Sequence, residues 1–165
     1  MTNLLYVSQK ARFSSCGRYR YSLYRKWDFG AGRVVFVGLN PSRADARRDD
    51  PTIRRCIGFA RSWGFQELEV VNLFALRATY PEDLKNHDQP VGPENDRWIA
   101  KAVARADLAI ACWGIHGSHN NRDEDVLNSL PQLHCIALSK DLKPRHPLYL
   151  RANLKPMPMS YSQVK

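Results

Sequence analysis

The chain has 165 residues, of which 44% are hydrophobic and 25% are charged. This size and mixture are typical of one compact domain, so we expect residues 1–165 to fold as a single unit. No apolar run approaches the ~20 residues that a membrane-spanning helix needs, and the first residues lack the apolar stretch of a secretory signal. We therefore expect a cytoplasmic protein without a membrane partner.

The formal net charge of +9 is unevenly distributed along the chain. Residues 1–66 carry 13 basic and 4 acidic side chains, residues 67–141 carry 7 and 12, and residues 142–165 carry 5 basic and no acidic ones. Basic surfaces attract polyanions by releasing condensed counterions, so nucleic acid is the first partner to consider and an anionic membrane surface the second. Charge alone leaves the choice open, because many basic proteins bind neither.

The four cysteines are widely separated in the sequence. No two of them form a CxxC pair; they are Cys16, Cys56, Cys112 and Cys135. This spacing argues against a zinc ribbon and, in a cytosolic chain, against a disulfide framework. We expect reduced and mostly buried thiols, and no metal or cofactor.

The first third of the chain predicts strands and one helix. Residues Arg18–Arg25 alternate as in a strand, the chain turns through Asp28–Gly32, and Val34–Val37 is typical of a buried strand. A helix then begins at Asp50-Pro51-Thr52 and closes at Gly64.

The remainder alternates short apolar strands with amphipathic helices. The predicted elements are a strand at Leu68–Phe74, a polar loop at Pro81–Pro93, a helix at Pro93–Arg105, a strand at Leu108–Cys112, a helix at Arg122–Leu130 and a strand at His134–Leu138. Such alternation predicts an α/β fold, a three-layer α/β/α sandwich with a central, mainly parallel sheet and an N-terminal antiparallel hairpin at one edge.

An unusual cluster follows each of the four strands of this predicted sheet. The clusters are Gly38-Leu39-Asn40-Pro41-Ser42, residues 72–79 (NLFALRAT), residues 112–117 (CWGIHG) and residues 145–150 (RHPLYL). Because ligands bind beyond the carboxyl ends of parallel strands, we expect the clusters to converge on one cleft. Asn40 and His146 should face each other across it, with Asn72 on the wall.

These clusters resemble motifs of the uracil-DNA glycosylase superfamily, over roughly residues 33–151. In that superfamily a G-x-D-P or G-x-N-P loop carries the residue that activates water, which implies this role for Asn40. A second strand carries an asparagine that reads the flipped base, matched by Asn72, and a third ends in a W-G pair, matched by Trp113. The last loop carries a histidine that faces the pyrimidine oxygen, matched by His146. The chain also resembles a bacterial family of unknown function with the patterns GLNPS, VVNLFALRAT, WG and RHPLYL.

The resemblance implies a monofunctional DNA glycosylase, which hydrolyses the N-glycosidic bond of a flipped-out base and leaves an abasic site. It implies Asn40 and His146 as catalytic residues, and it implies these substrate-binding residues: Gly38, Leu39, Pro41, Ser42, Asn72 and Trp113. The chemistry fits these residue types, because an oxocarbenium-like sugar and a departing base need a water orienter and a donor to the base oxygen. An amide positions water without deprotonating it, which indicates slower chemistry. The motifs contain no lysine for a Schiff base, so we expect no strand cleavage.

Two departures from the superfamily bear on the substrate. The efficient uracil enzymes place a tyrosine after the loop proline, where its ring blocks substituents on C5 of the pyrimidine, and this chain has Ser42 there. The resemblance therefore implies a 5-substituted pyrimidine as substrate, in base excision or in defence against phage with modified DNA. Thermostable members hold an iron–sulfur cluster on four cysteines that include a CxxC pair, which is absent here, so we expect no cluster.

Base flipping requires a basic groove and a side chain that fills the gap in the stack. We expect a monomer that binds DNA through its basic N-terminal third and C-terminal segment, with phosphate contacts from Arg43, Arg54, Arg145 and Arg151.

Simpler interpretations remain for most of these residues. Asn40 is also a common turn residue, Asn72 could cap a loop, His146 could lie on the surface, and Trp113 could belong to the core. Asp49 and Asp50 are either a helix N-cap with a charged neighbour or a metal or catalytic pair. A zinc site at Cys112, His116 and His119 lacks a fourth ligand. At the level of function, the alternatives are a non-catalytic nucleic-acid or nucleotide-binding module on the same fold and a hydrolase or transferase of small nucleotides.

Overall fold

The computed structural model of the protein describes residues 5–159. In this part of the chain the strands are β1 (Tyr6–Phe13), β2 (Arg20–Trp27), β3 (Arg33–Gly38), β4 (Glu67–Asn72), β5 (Leu108–Ala111), β6 (His134–Cys135) and β7 (Met157–Pro158). The helices are α1 (Pro51–Ser62), α2 (Pro81–Lys85), α3 (Asn95–Ala104) and α4 (Arg122–Ser129), with 3-10 segments at Ile115–Asn121 and Pro147–Tyr149. Among the described residues, no helix combines the length and apolar character needed to span a membrane.

All seven described strands form one mixed sheet in the order β1-β2-β4-β3-β5-β6-β7. The strands β4, β3, β5 and β6 pair in parallel, whereas β1 with β2, β2 with β4, and β6 with β7 pair antiparallel. The α/β class and the N-terminal antiparallel hairpin at the sheet edge are confirmed. The four strands in the middle of the sheet pair in parallel, as expected, whereas the sheet as a whole is mixed, because the hairpin adds two antiparallel pairings and β7 adds a third.

The central strand β3 contributes to two apolar clusters on opposite faces of the sheet. Val35 and Val37 pack in one cluster, and Val34 and Phe36 in the other. Buried β-branched and aromatic residues on both faces are typical of a strand in the middle of a parallel sheet. The helix α1 packs into the cluster of Val34, whereas α3 and α4 pack into the cluster of Val35.

The boundaries of α1 follow local chemistry. Asp50 accepts a hydrogen bond from the backbone N–H of Ile53 at 2.9 Å, and Pro51 occupies the first helical position. The helix ends at the C-cap Trp63, and Gly64 adopts φ +86°, a conformation that glycine tolerates best. Both ends of this helix match the sequence prediction.

Two other predicted elements differ from the structure. The predicted loop at Pro81–Pro93 begins with the helix α2, because Pro81 occupies its first turn together with Glu82 and Asp83, which suit a helix N-terminus. The predicted strand at His134–Leu138 pairs as a strand only at His134–Cys135. Beyond Cys135 the chain folds back on itself, and Leu138 pairs with Pro144 in an isolated bridge.

The hairpin contains a β-bulge at Tyr21. The pairing of β1 with β2 passes from Arg12 opposite Ser22 to Phe13 opposite Arg20, so Tyr21 is the extra residue. Tyr19 and Tyr21 pack into the cluster of α3, whereas Leu23 packs into the cluster of α1. The bulge therefore reverses the face on which successive side chains lie.

Candidate active site

A cavity of about 630 Å³ opens at the carboxyl ends of β3, β4 and β5. Its volume is in the range of small-molecule and cofactor sites. The structure brings these predicted residues together in the cavity wall: Gly38, Leu39, Asn40, Pro41, Ser42, Asn72, Trp113, Arg145 and His146. They come from four separate segments, because adjacent parallel strands end at the same edge of the sheet.

Asn40 is fixed by its amide nitrogen. Nδ2 donates to the carbonyl of Ala78 at 2.8 Å and to the carbonyl of Pro41 at 3.1 Å. These bonds hold the side chain against the segment that follows β4, and they leave Oδ1 as an acceptor. The amide is therefore positioned to accept a hydrogen bond from a water or a ligand.

Asn72 is at the end of β4 and is only 3% exposed. Its Oδ1 lies 2.8 Å from the place where a Cβ at Gly38 would be, so a larger residue at position 38 would displace the amide of Asn72. Its Nδ2 is buried and has no hydrogen-bond partner among residues 5–159. An unpaired buried donor is costly, and a ligand oxygen in the cavity would satisfy it.

Asn95, which the sequence interpretation missed, supports the turn after β4. Its Nδ2 donates to the backbone carbonyls of Asn72 and Leu73 at 2.9 and 3.0 Å. The side chain is fully buried in the first turn of α3. The sequence carries no signal for this role, because Asn95 stands among charged residues at a helix start, where exposed asparagines also occur.

Trp113 is 1% exposed and packs in the cluster of α3. A Cβ at Gly117 would lie 2.3 Å from its Cδ1, so the indole fits directly against that glycine. Its Nε1 is buried and has no hydrogen-bond partner within the described chain. Trp113 is therefore a core residue that also forms part of the cavity wall.

His146 precedes the 3-10 turn at Pro147–Tyr149. Its Nδ1 accepts a hydrogen bond from the backbone N–H of Leu148 at 3.3 Å. Burial lowers the pKa of His146, and the negative charge of Asp50 opposes this change. A neutral ring whose Nδ1 is an acceptor carries its proton on Nε2, so Nε2 is a hydrogen-bond donor.

Arg55, which the sequence suggests faces DNA or solvent together with Arg54, instead anchors the loop of His146 to α1. Its Nε donates to the carbonyl of Pro147 at 3.3 Å, and its Nη2 donates to the carbonyl of Leu150. Its guanidinium lies over the ring of Phe59. The two adjacent arginines of α1 therefore have different roles. Arg55 holds this loop, whereas Arg54 is exposed and donates to the carbonyl of Asp49.

The four predicted DNA contacts are all exposed, but they are not all at the cavity. Arg145 is part of the cavity wall. The structure does not bring the other three into that wall; they are Arg43, Arg54 and Arg151. A second, shallower depression contains Arg18 and Arg77, and it shares Ser42 and Thr79 with the cavity.

The acidic pair before α1 has structural roles. Asp50 is the N-cap, and its second oxygen accepts from the backbone N–H of Ala44 at 3.3 Å. Asp49 forms an ion pair with the buried Arg25 at 2.9 Å and accepts a hydrogen bond from Tyr6. The helix N-cap interpretation therefore accounts for this pair.

The described cysteines are all free thiols, and three of the four are buried. Burial raises the pKa of Cys56 to about 12 and also raises that of Cys112, so both remain protonated at neutral pH. Cys112 lies at the cavity wall near His116. Within residues 5–159, no three metal-binding side chains of the His, Cys, Asp and Glu types form a group that could hold an ion.

Three exposed apolar side chains surround the opening of the cavity. They are Ile115, Leu148 and Tyr149, and Tyr149 is the most exposed. Exposed apolar side chains grouped at a cavity opening are typical of an interaction surface.

Comparison with curated proteins and with solved structures finds no match for this chain. Comparison with protein families matches residues 20–148, a segment that begins with β2 and ends in the loop of His146. The chain belongs to the family described as Protein of unknown function (DUF1643).

Proposed function

We propose that this protein is a monofunctional DNA glycosylase that acts on a flipped-out 5-substituted pyrimidine. The observation that carries the proposal is the meeting of Asn40, Asn72 and His146 in one cavity. The proposal includes a three-layer α/β/α arrangement like that of the uracil-DNA glycosylase superfamily, which is supported by the order of the motifs and by the packing of α1 and α3 against different clusters.

The proposed reaction uses Asn40 and His146 on opposite sides of the scissile bond. Oδ1 of Asn40 accepts a hydrogen bond from the attacking water and orients it toward C1′ of the sugar. Nε2–H of His146 donates to the pyrimidine oxygen, where negative charge develops as the bond breaks. A neutral histidine fits this role, because a hydrogen-bond donor suffices to stabilise the departing base anion. As the C1′–N bond breaks, the water oxygen bonds to C1′, and the proton that the water loses passes to the departing base.

Asn72 is proposed to read the edge of the base. An amide offers one donor and one acceptor, which suits a pyrimidine edge. The unpaired Nδ2 of Asn72 supports this role, since a ligand carbonyl would supply the missing acceptor. Ser42 would face C5, where its small side chain leaves room for a substituent.

Lys143 also lies in the cavity wall, although the motifs themselves contain no lysine. Its Nζ forms an ion pair with the buried Asp123 at 2.8 Å. This contact engages Nζ, the atom that a Schiff base with the sugar would need. The proposal therefore keeps base release without a Schiff base and without strand cleavage.

DNA would approach the exposed face around the cavity opening. Arg145 at the cavity, and Arg18 and Arg77 in the adjoining depression, are positioned to contact phosphates. Leu148 or Tyr149 would fill the gap that the flipped nucleotide leaves, because both are exposed apolar side chains next to His146. A cytoplasmic monomer is part of the proposal.

The test is a panel of single- and double-stranded DNAs that contain uracil, thymine, 5-hydroxymethylcytosine or glucosylated 5-hydroxymethylcytosine. We expect abasic sites in DNA with a 5-substituted base, and more slowly with uracil. Asn40→Ala should abolish base release and leave DNA binding nearly intact. Ser42→Tyr should reduce release of the bulkiest base most, since the ring would close the space at C5.

Two results would replace the proposal. If Asn40→Ala still binds DNA and the wild type produces no abasic site on any substrate, the protein is a binding module. Turnover of free nucleotides with little dependence on salt indicates a small-nucleotide enzyme. A third result would contradict only the substrate assignment. In that case the wild type releases uracil fastest, and Ser42→Tyr does not change the rate for uracil relative to the rates for the bulky bases.

A further inference from the structure

Arg20 is a buried guanidinium in the cavity wall whose donors are mostly unused. The residue is 2% exposed, and its Nη1 donates to the carbonyl of Ala44 at 3.1 Å. A guanidinium has five N–H donors, and Nε of Arg20 is buried with no partner in the described part of the chain. No carboxylate of residues 5–159 lies within ion-pair distance of Arg20.

The other two buried arginines of the described chain show the contrast. Arg25, further along β2, pairs with Asp49 and donates to several backbone carbonyls. Arg122 donates to the carbonyl of Leu73 and pairs with Asp96. Proteins seldom bury an unpaired charge, so a structural role explains Arg25 and Arg122 but leaves Arg20 incompletely satisfied.

The bulge at Tyr21 gives Arg20 its position. Because Tyr21 is the extra residue, Arg20 lies on the same face as Leu23, the face of α1, next to Ala44 and Cys56. Bulges often redirect a side chain into a functional site. Burial lowers the pKa of Arg20 to about 10, which still leaves the guanidinium charged at neutral pH.

Further donors are present in the same cavity wall. Ser42 and Thr52 both line the cavity, and their hydroxyls make no hydrogen bond to another described residue. Thr52 is in the first turn of α1, where backbone N–H groups and the helix dipole favour an anion. The carboxylate of Asp50 is nearby, but its two oxygens accept from the N–H groups of Ile53 and Ala44.

The remaining charges leave the cavity positive. Lys143 is neutralised by Asp123, whereas Arg145 has no ion-pair partner among the described residues. The two positive charges of Arg20 and Arg145 therefore outnumber the single negative charge of Asp50. A positive cavity with unpaired donors is complementary to an oxyanion.

We propose that Arg20, Ser42 and Thr52 form a subsite for an oxyanion, either a carboxylate or a phosphate carried by the ligand of this cavity. If the ligand is a 5-substituted pyrimidine, as proposed above, the carboxylate would be its C5 substituent. If it is a nucleotide, the phosphate would occupy the subsite. The subsite itself does not depend on glycosylase activity, because it follows from the unpaired donors.

The test is calorimetric titration of the whole protein at constant ionic strength in chloride buffer, with three probes: inorganic phosphate, 5-carboxyuracil and uracil. We expect phosphate to bind, or 5-carboxyuracil to bind at least about tenfold more tightly than uracil. If phosphate saturates the site and 5-carboxyuracil shows no preference over uracil, the group that the subsite binds is a phosphate of the ligand. If 5-carboxyuracil binds more tightly than uracil, that group is a carboxylate. Binding of neither oxyanion, or equal binding of uracil and 5-carboxyuracil without phosphate binding, would overturn the subsite.

Variants locate the bound anion. Arg20→Gln should weaken oxyanion binding at least about tenfold, and Thr52→Val should weaken it severalfold while preserving the shape of the side chain. Arg61→Gln is the matched control, because Arg61 is an exposed arginine of α1 outside the cavity wall, and it should bind like the wild type. If Arg20→Gln does not fold, Arg20→Lys and Thr52→Val decide the question. The proposal is contradicted if folded variants of Arg20 and Thr52 bind the oxyanion with wild-type affinity, or if Arg61→Gln loses as much affinity as they do.

The two proposals can fail separately. A protein that releases bases from DNA but binds neither oxyanion refutes the subsite alone. A protein that binds an oxyanion through Arg20 but never produces an abasic site refutes the glycosylase alone.

Discussion

At the scale of single residues, the site depends on how each polar side chain is held. Asn40 and His146 each use one atom to bond to the protein, which leaves Oδ1 and Nε2 for the ligand. Asn72 makes a close contact with Gly38 through Oδ1 and leaves Nδ2 unpaired. The chemistry proposed for these residues therefore follows from the atoms that the fold does not use.

The first prediction concerns the pH dependence of His146. Because burial lowers its folded-state pKa below the ordinary 6.5, the neutral ring persists on mild acidification. Its contribution to stability is present above pH 6.5 and is lost as the pH falls through the folded-state pKa. We expect the acid limb of base release to have its midpoint below pH 6.5, measured under single-turnover conditions.

The control for this limb is His146→Gln, whose amide donates a hydrogen bond but does not titrate. Residual base release by this variant should be flat across the same range. A midpoint at or above pH 6.5 in the wild type would argue against the neutral donor.

The second prediction is that Asn40→Asp does not accelerate base release, although a carboxylate can deprotonate water. One carboxylate oxygen would take the place of Nδ2 and face the carbonyls of Ala78 and Pro41, which are both acceptors. We expect a loss of about 1–3 kcal/mol in the free energy of unfolding. Denaturant unfolding and single-turnover rates measure the two effects.

Asn153→Asp is the matched substitution for Asn40→Asp, because Asn153 is exposed in a turn away from the cavity wall. It should leave stability and rate nearly unchanged. An Asn40→Asp protein as stable as the wild type and faster in base release would show that the amide is not fixed in the way described.

At the scale of elements, the loop of His146 depends on α1. Arg55 reaches from the helix to the carbonyl of Pro147, the first residue of the 3-10 turn, and to that of Leu150, which follows the turn. We therefore predict that Arg55→Met slows base release by about 10- to 100-fold through misplacement of His146. The melting temperature should fall only slightly, because the methionine stem still packs on Phe59. Single-turnover rates and thermal unfolding test this.

Arg61→Met provides the comparison for Arg55→Met, since it removes an arginine from the last turn of the same helix without touching the loop. Its rate should equal that of the wild type. Equal slowing in both variants would mean that α1 affects catalysis through its stability rather than through the anchor.

The elements that could be predicted from the sequence are those with strong local signals. The strand β3 has a continuous apolar run, and α1 has Asp50 and Pro51 at its start and Gly64 after its end. The short strand β7 at Met157–Pro158 was not predicted, because two residues carry no periodicity and their pairing with β6 is a long-range contact.

The candidate site shows the same division. The clusters of Asn40, Asn72, Trp113 and His146 could be predicted to share a cavity, because each follows a strand and parallel strands end together. The place of Arg20 in the cavity could not be predicted, because this residue lies in an alternating run, RYRYSLYR, in which no local signal marks the bulge. Its place in the cavity depends on pairing with β1, which lies across the hairpin.

At the scale of the whole molecule, charge determines how DNA would be held. Both ends of the chain are basic, and Arg145, Arg18 and Arg77 lie on or beside the cavity opening. We predict that DNA affinity falls steeply with salt, and that Arg145→Ala reduces the slope of log affinity against log salt by roughly one unit, since one phosphate contact contributes about 0.9. Fluorescence anisotropy at several salt concentrations measures this slope.

The control is Arg61→Ala, which removes the same charge from an exposed position outside the cavity wall. Its salt slope should match that of the wild type. An unchanged slope in Arg145→Ala would remove Arg145 from the DNA interface.

The bulge in the hairpin has a consequence for how this protein can change its sequence length. Since Tyr21 is the residue that reverses the facing of the strand, deleting it would restore regular alternation between β1 and β2. Arg20 would keep Phe13 as its partner and would stay on the face of α1, whereas the packing of Tyr21 in the cluster of α3 would be lost. One residue inserted between Arg20 and Leu23 would instead turn Arg20 to the face of α3 and out of the cavity wall, so this part of β2 cannot gain a residue freely.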